Sequence, residues 1–392
     1  RLSPAYARLG ELGASFGEKS GWERANWFDP NAELGDERLR PRGWAGRNWS
    51  PAIHAEAMAT RGRAGLFDET SFAKIEVSGP GAAAYLQRLC ANDVDRGVGT
   101  VTYTQMLNSR GGIECDFTVT RLAEHRFRIV TGTAFANHDI GWIRRHMPAD
   151  GSVDVVDVTS AYACLGLWGP RARDILQPLT TADLSNAALP YMRAAEIAVG
   201  HIPCLAVRVT YVGELGWELY CPSEYGAALW DAIWASGSAH GMLAAGYRAI
   251  DALRVEKGYR VWGADITPED SPDEAGLGFA VKPDKGVDFI GREALLRARE
   301  SAPGRRLACL ALADSLAVTL GSEPVRIGGE IVGRVTSGGY GYAVGQSLAY
   351  AYLPADATAV GTAAEVEVFD DWVAAEVVPE PAWDPRGERI RA

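Results

Sequence analysis

The strongest constraint on this chain is an internal repeat. The segments AKIEVSGPGAAAYLQRL and YACLGLWGPRARDILQPL each read as strand, Gly-Pro turn and helix, with Gly79-Pro80 and Gly169-Pro170 ninety positions apart. Glycine admits the tight turn, and proline, lacking an N–H, is tolerated in the first helical turn. Leu86 and Leu89, or Ile175, Leu176 and Leu179, then face a core. Two related α+β modules are expected. At roughly 150 residues per domain, a chain of 392 residues has room for more.

Past SAPGRR at 301–306 the pattern changes to short apolar strands with glycine turns, as in RIGGEIVGRVTSGGYGYAVGQSLAYAYL and AEVEVFDDWVAAEVV. That alternation predicts a small antiparallel barrel or sandwich. Residues 1–50 are rich in Trp, Arg, Asn, Pro and Gly, with little periodicity after a short helical start near Ser3. They read as an extended arm lying on the body, with Trp22, Trp27, Trp44 and Trp49 packed because each has a large apolar area to bury. Between these ends, strands are expected at RFRIVTG and in a hairpin over 201–222, and helices over about 224–237 and 244–257. The division is a 1–50 arm, a 51–300 region of two modules, and a 301–392 β-domain.

Lys plus Arg number 39 against 50 Asp plus Glu, a net charge of −11, which argues against a broad nucleic-acid surface. No run approaches the roughly 18–20 apolar residues of a membrane span, and the first thirty residues lack a signal-peptide core. A cytoplasmic or matrix-like location is expected, with no membrane partner. The six cysteines contain no CxxC pair and read as buried thiols of a reducing compartment. None of the six histidines shows metal spacing, no Ser or Cys nucleophile motif appears, and no GxGxxG follows a strand, so no metal ligand is assigned.

Three runs carry polar groups in chemically useful places. In TYTQMLNSRGGIECDFTVTRL, alternation puts Asp116, Thr118 and Thr120 on one strand face and Phe117 and Val119 on the other. Asp116 reads either as a general base or cation stabiliser, or as a turn acid capping the Gly111 or Gly112 amide. In RVTYVGELGWELY, Glu214 reads as a solvated or turn-capping acid near Tyr211. Glu218, flanked by Trp217 and Leu219, reads as a grip on two N–H donors of a heterocycle or as a cross-strand ion pair. In YRAIDALRVEKG, Arg248, Asp251 and Arg254 follow i, i+3 spacing, either a solvated ladder or a source of one arginine for an anionic tail.

Taken in order, MLNSRGGIECD, YVGELGWELY, RAIDALRVEKG, SPDEAGLGF, DFIGREAL and VGRVTSGGYGYAVG resemble the glycine-cleavage T-protein (aminomethyltransferase) family over about residues 50–390. FGEKSGWERANWF and PAWDPRGERIR look like the folate-binding half of sarcosine and dimethylglycine dehydrogenases, in which a separate domain binds FAD and oxidises the amine. The resemblance implies an α+β three-domain cloverleaf with a C-terminal antiparallel β-barrel and a central cavity for tetrahydrofolate. By motif, Asp116 matches the catalytic aspartate, Tyr211 and Glu218 match residues lining the pterin site, and Arg248 matches the arginine of the folate pocket. The implied activity is tetrahydrofolate-dependent one-carbon transfer from a small N-methylated donor, with a flavoprotein dehydrogenase as partner.

Three departures from the family pattern argue against a lipoyl-carrier reaction. Cys115-Asp116 stands where the T protein usually has two acids, VTGTA around Gly132 where it has an Asn, and Gly345-Gln346 where many relatives have Gly-Lys. A stand-alone folate-dependent O-, N- or S-demethylase and a folate-binding assembly protein without turnover are the alternatives, and the donor is left open.

Overall fold

The computed structural model describes all 392 residues. Both repeat copies form as expected, with strand Ala73–Ser78 leading to helix Ala82–Leu89 and strand Tyr162–Trp168 leading to helix Ala172–Leu176. The two turn glycines have φ of 113° and 135°. A Cβ on Gly79 would lie 2.4 Å from the Ser152 carbonyl oxygen, and one on Gly169 would lie 2.4 Å from that of Arg63. Those same carbonyls accept the amides of Gly81 and Arg171, both at 2.9 Å. The tight turn and the close backbone approach are one device, used twice.

Each copy builds an antiparallel sheet of the same order. The first runs Val101–Leu107, Ile113–Ala123, Arg126–Thr131, Ala73–Ser78, Asp154–Asp157. The second runs Ala194–Val199, Ile202–Val207, Gly216–Pro222, Tyr162–Trp168, Gly65–Asp68, with Leu243–Ala244 added in parallel at the edge. The strands beside the repeat strands are exchanged. Gly65–Asp68 precedes the first repeat strand in the chain but pairs with the second, Leu66 opposite Leu167. Asp154–Asp157 precedes the second repeat strand but pairs with the first, Val77 opposite Val155.

The two crossovers are matched atom for atom. Asp68 accepts the Thr70 amide at 3.0 Å and Asp157 accepts the Thr159 amide at 2.9 Å. The Thr70 hydroxyl accepts the Cys164 amide at 3.2 Å, while the Thr159 hydroxyl accepts the Lys74 amide at 3.1 Å. The buried Lys74 ammonium ties both crossovers together, donating to the carbonyls of Thr70 and Phe72 at 2.8 Å and of Thr159 at 3.2 Å.

Pleating decides what lies between the sheets. Cys115, Phe117 and Val119 point away, into a core with Leu86 and Leu89. Cross-strand pairing places Asp116, Thr118 and Val130 together on the opposite face, and Glu218 with Gly166 and Val207 on one face of the second sheet. Val101 and Val130 of the first sheet pack on Cys164, Val207 and Tyr220 of the second, so these faces meet. The C-terminal region closes into a six-stranded antiparallel barrel ordered Arg305–Leu312, Gln346–Pro354, Glu330–Gly341, Pro324–Ile327, Ala363–Val368, Asp371–Val378. No helix is long and apolar enough to cross a membrane.

The N-terminal region is not an extended arm. After helix Tyr6–Glu11 it forms a hairpin, Ala14–Lys19 with Trp22–Phe28, turned at Ser20 and Gly21 with φ of 51° and 81°. Positive φ at both central residues matches the twist of paired strands. Trp22 and Trp49 are buried and Trp27 partly so, but Trp44 is 61% exposed, with the Arg47 guanidinium stacked over its ring. The 201–222 hairpin is also looser than expected, with strands Ile202–Val207 and Gly216–Pro222 separated by an irregular segment.

Candidate active site between the two sheets

Asp116 sits inside strand Ile113–Ala123, which begins earlier than the sequence suggests. Its cross-strand neighbour Gln105 donates to Oδ1 at 2.8 Å. The glycine turn is capped by another residue, since Asn108 Oδ1 accepts the amides of Arg110 at 2.9 Å and Gly112 at 3.1 Å. The turn-cap reading of Asp116 is thereby removed. Burial pushes Asp116 up to about 6, outweighing the lowering by Tyr103 and Gln105.

Glu218 faces the same space from Gly216–Pro222 and is buried. Tyr220 donates its hydroxyl to Oε2, while Oε1 has no protein partner. Burial pushes Glu218 up to about 7 against lowering by Tyr220 and Lys74. Behind it stands Glu69, fully buried, with neither carboxyl oxygen hydrogen-bonded. Its Oε2 lies 3.0 Å from where a Cβ on Gly166 would be, and Gly166 is the cross-strand partner of Glu218. Burial first, then the charge of Glu218, holds Glu69 well above the ordinary carboxylate range. Two buried acids this close cannot both ionise freely, and the charge of one raises the other.

Tyr211 lies in the irregular segment before Gly216. Its hydroxyl donates to the Arg260 carbonyl at 2.7 Å and its ring stacks on Tyr259 with centroids 5.7 Å apart. The charge of Asp116 reaches it. Asp116, Tyr211 and Glu218 therefore address the space between the sheets. Arg248 does not join them. On helix Tyr247–Lys257 its side chain is 46% exposed and faces Asp251 at 3.9 Å. The helix buries Arg254 instead, against Asp265 at 2.9 Å and Ser337 at 3.0 Å.

Glu214 is a correction to the sequence reading. It is buried, not solvated, and accepts from Arg61 at 2.9 Å, Arg389 at 2.7 Å and Trp383 at 3.0 Å. Two cations from distant segments supply what a turn acid would take from water, and they fasten the C-terminal tail to the body. Glu69, Gln105 and Tyr103 were missed altogether. A signal for Glu69 did exist, because DETS and DVTS precede the two repeat strands and differ at that position.

Cys115, His138 and Asp139 place ligand-type atoms within 4.8 Å of one another. His138 already bridges Asp139 at 3.0 Å and Glu114 at 3.2 Å, and these acids hold its pKa above the ordinary imidazole value. Cavities of about 870 and 480 Å³ open beside Arg110, outside the space between Asp116 and Glu218. The site is thus recognised by its side chains and not by volume.

The family model "GCVT N-terminal domain" matches residues 5–285, and "Glycine cleavage T-protein C-terminal barrel domain" matches 305–384. The chain is 39% identical to 4-methylaminobutanoate oxidase (formaldehyde-forming) of Paenarthrobacter nicotinovorans, over 100% of this chain and 47% of that one. It is 35% identical to human mitochondrial dimethylglycine dehydrogenase, over 97% and 44%. It therefore spans about half the length of these relatives. An aminomethyltransferase of Symbiobacterium thermophilum is 36% identical over 92% of this chain and 96% of its own. The crystal structure of glycine cleavage system aminomethyltransferase T from Bartonella henselae superposes with a TM-score of 0.84 at 27% identity, covering 98% of both chains.

Proposed function

Because the chain belongs to the glycine-cleavage T-protein family, we propose that it transfers a one-carbon unit from an N-methylated amine-type donor to tetrahydrofolate. We assign it the folate-binding part of a system like sarcosine or dimethylglycine dehydrogenase, with a flavoprotein supplying the activated donor. The observation that carries this reading is Asp116, a carboxyl pushed up to about 6 and oriented by Gln105 in the space between the duplicated sheets. The two longer relatives named above, an amine oxidase and a dehydrogenase, support the flavoprotein partner.

Tetrahydrofolate supplies nucleophilic nitrogen when bound. The chain's residues meet its chemical demands. Glu218 holds one oxygen on Tyr220 and leaves Oε1 for an N–H donor, and a carboxylate suits the paired donors of a pterin edge. Glu69, without a hydrogen-bond partner, is the harder of the two acids to ionise, while Tyr220 and Lys74 favour the charged form of Glu218. Tyr211, its hydroxyl engaged by Arg260, offers a ring face for packing. Asp116 takes the proton that a folate nitrogen loses on bonding to the one-carbon unit. A base near 6 is ionised at neutral pH yet basic enough for that transfer. Arg248, exposed and weakly held by Asp251, is assigned to the anionic folate tail.

Calorimetry should show tetrahydrofolate binding. Single-turnover formation of methylenetetrahydrofolate, with the iminium generated in situ from sarcosine and formaldehyde, should exceed the uncatalysed rate. Absence of tetrahydrofolate binding would overturn the reading.

A further inference from the structure

Arg24, on strand Trp22–Phe28, is half-buried, and its guanidinium accounts for none of its donors within the protein. It makes no hydrogen bond and no salt bridge, and its nitrogens stay open to solvent. Arginines of similar or greater burial elsewhere are tied down, as Arg61 is by Glu214 and Glu256 and Arg254 is by Asp265.

The side chain is nevertheless held in place. Its guanidinium carbon lies 3.5 Å from the centroid of the Tyr247 ring, a flat stack that leaves the N–H edge displayed. The Tyr247 hydroxyl is fixed by Ser71 at 3.1 Å, and Ser71 by Thr133 at 2.9 Å. The strand carrying Arg24 is seated on Gly246, where a Cβ would lie 2.2 Å from the Asn26 carbonyl oxygen. Glu56 clamps both sides of this contact, accepting the amides of Phe28 at 2.7 Å and Gly246 at 2.9 Å. Arg248 follows Tyr247 on the same helix. Glu69 feels the charge of Arg24, but neither of its carboxyl oxygens hydrogen-bonds the guanidinium.

We propose that Arg24 is a carboxylate-binding residue of the site, contributed by the N-terminal hairpin. A stacked guanidinium with a free fork pairs with a carboxylate bidentately. Within the folate-transfer reading on which this inference rests, two ligands carry such a group, the glutamyl tail of tetrahydrofolate and an amino-acid donor.

The test is calorimetric, on the unmodified chain, Arg24→Ala and Arg24→Gln. One pair of probes is tetrahydrofolate against 6-methyltetrahydropterin, which lacks the tail. The other is dimethylglycine against dimethylethylamine, which lacks the carboxylate. At least a tenfold loss for tetrahydrofolate with the pterin unchanged assigns Arg24 to the tail. The same loss for dimethylglycine with the amine unchanged assigns it to the donor. Melting temperatures within about 2 °C of the unmodified chain separate either result from unfolding, with Arg24→Gln serving where Ala perturbs the hairpin. Equal affinities of the unmodified chain and both variants for all four probes would overturn the proposal. Failure of both folate probes on the unmodified chain would overturn the folate reading, while the donor pair would still decide Arg24. Failure of all four probes would overturn both.

Discussion

Asp116→Asn should make the protein more stable and less active at once, and the size of both effects follows from its surroundings. The carboxyl is raised from 3.8 to about 6, chiefly by burial. Between those values the folded state binds more protons than the unfolded chain, so stability falls as pH rises through the window, and the cost is complete above 6. At about 1.4 kcal/mol per pH unit, ionising Asp116 within the fold costs up to about 3 kcal/mol at neutral pH. Asn removes that cost and still accepts from Gln105 in the same shape. The variant should therefore melt roughly 2–5 °C higher at pH 7, and the difference should vanish near pH 4.

Turnover should move the other way. As a base the unmodified enzyme should rise with pH through about 6 and then level off, only about one-tenth active at pH 5. Asp116→Asn should lose roughly 10² or more in single-turnover rate, with no such limb, while keeping most of its tetrahydrofolate affinity. Melting curves at pH 4 and 7, calorimetry and quenched transfer on the same preparations decide the matter. A less stable variant with near-normal transfer per folded molecule would refute the reasoning.

Glu218→Ala should weaken tetrahydrofolate at least tenfold, about 1.4 kcal/mol by calorimetry, and unchanged affinity would remove Glu218 from the site. Gly79→Ala and Gly169→Ala should each destabilise by about 1–3 kcal/mol in urea unfolding, because each Cβ meets a carbonyl oxygen at 2.4 Å; a neutral result at either would break the equivalence of the two turns. Glu214→Ala should cost about 1–3 kcal/mol, because it removes the acceptor of Arg389 and Trp383 while Arg61 keeps Glu256, and a smaller loss would mean that water replaces the carboxylate there. All six thiols are buried, so an aromatic disulfide reagent should titrate none in the native protein and six on unfolding.

The local parts of this fold were legible because their causes are local. A glycine forced to positive φ, a proline at a helix start and a period-2 strand write themselves into neighbouring residues. Helices found at Gly226–Ser238 and Tyr247–Lys257 lie within a few residues of expectation for that reason. Asp116 and Glu218 were legible through alternation, each carboxylate interrupting an apolar strand. Glu214 was not, since nothing near it in the sequence announces Arg61 or Arg389. Arg248 and Arg254 look equivalent on the helix ladder, and only the packing of Asp265 and Ser337 separates the buried one from the exposed one. Trp44 shows the limit of arguing from residue type, because its large apolar area stays mostly exposed, with Arg47 stacked over the ring.

The exchanged strands explain why a site made of two sheets can hold a fixed geometry. Were each module closed on itself, the sheets could slide, and Asp116 and Glu218 would move with them. Here Gly65–Asp68 is a rung of the second sheet and, through the four-residue crossover Glu69–Phe72, a continuation into the first; Asp154–Asp157 does the reverse. Any relative shift must break both ladders and the Thr70 and Thr159 bonds that cross between them. The register on either side is equally constrained, since a slip of one residue would turn Phe117 toward the site and Asp116 into the apolar core. Lys74 binds carbonyls from both crossovers at once, which places the one buried ammonium that also lowers Glu218 at the point where the two modules are joined. The element that locks the sheets together is thus the same one that favours the charged form of Glu218.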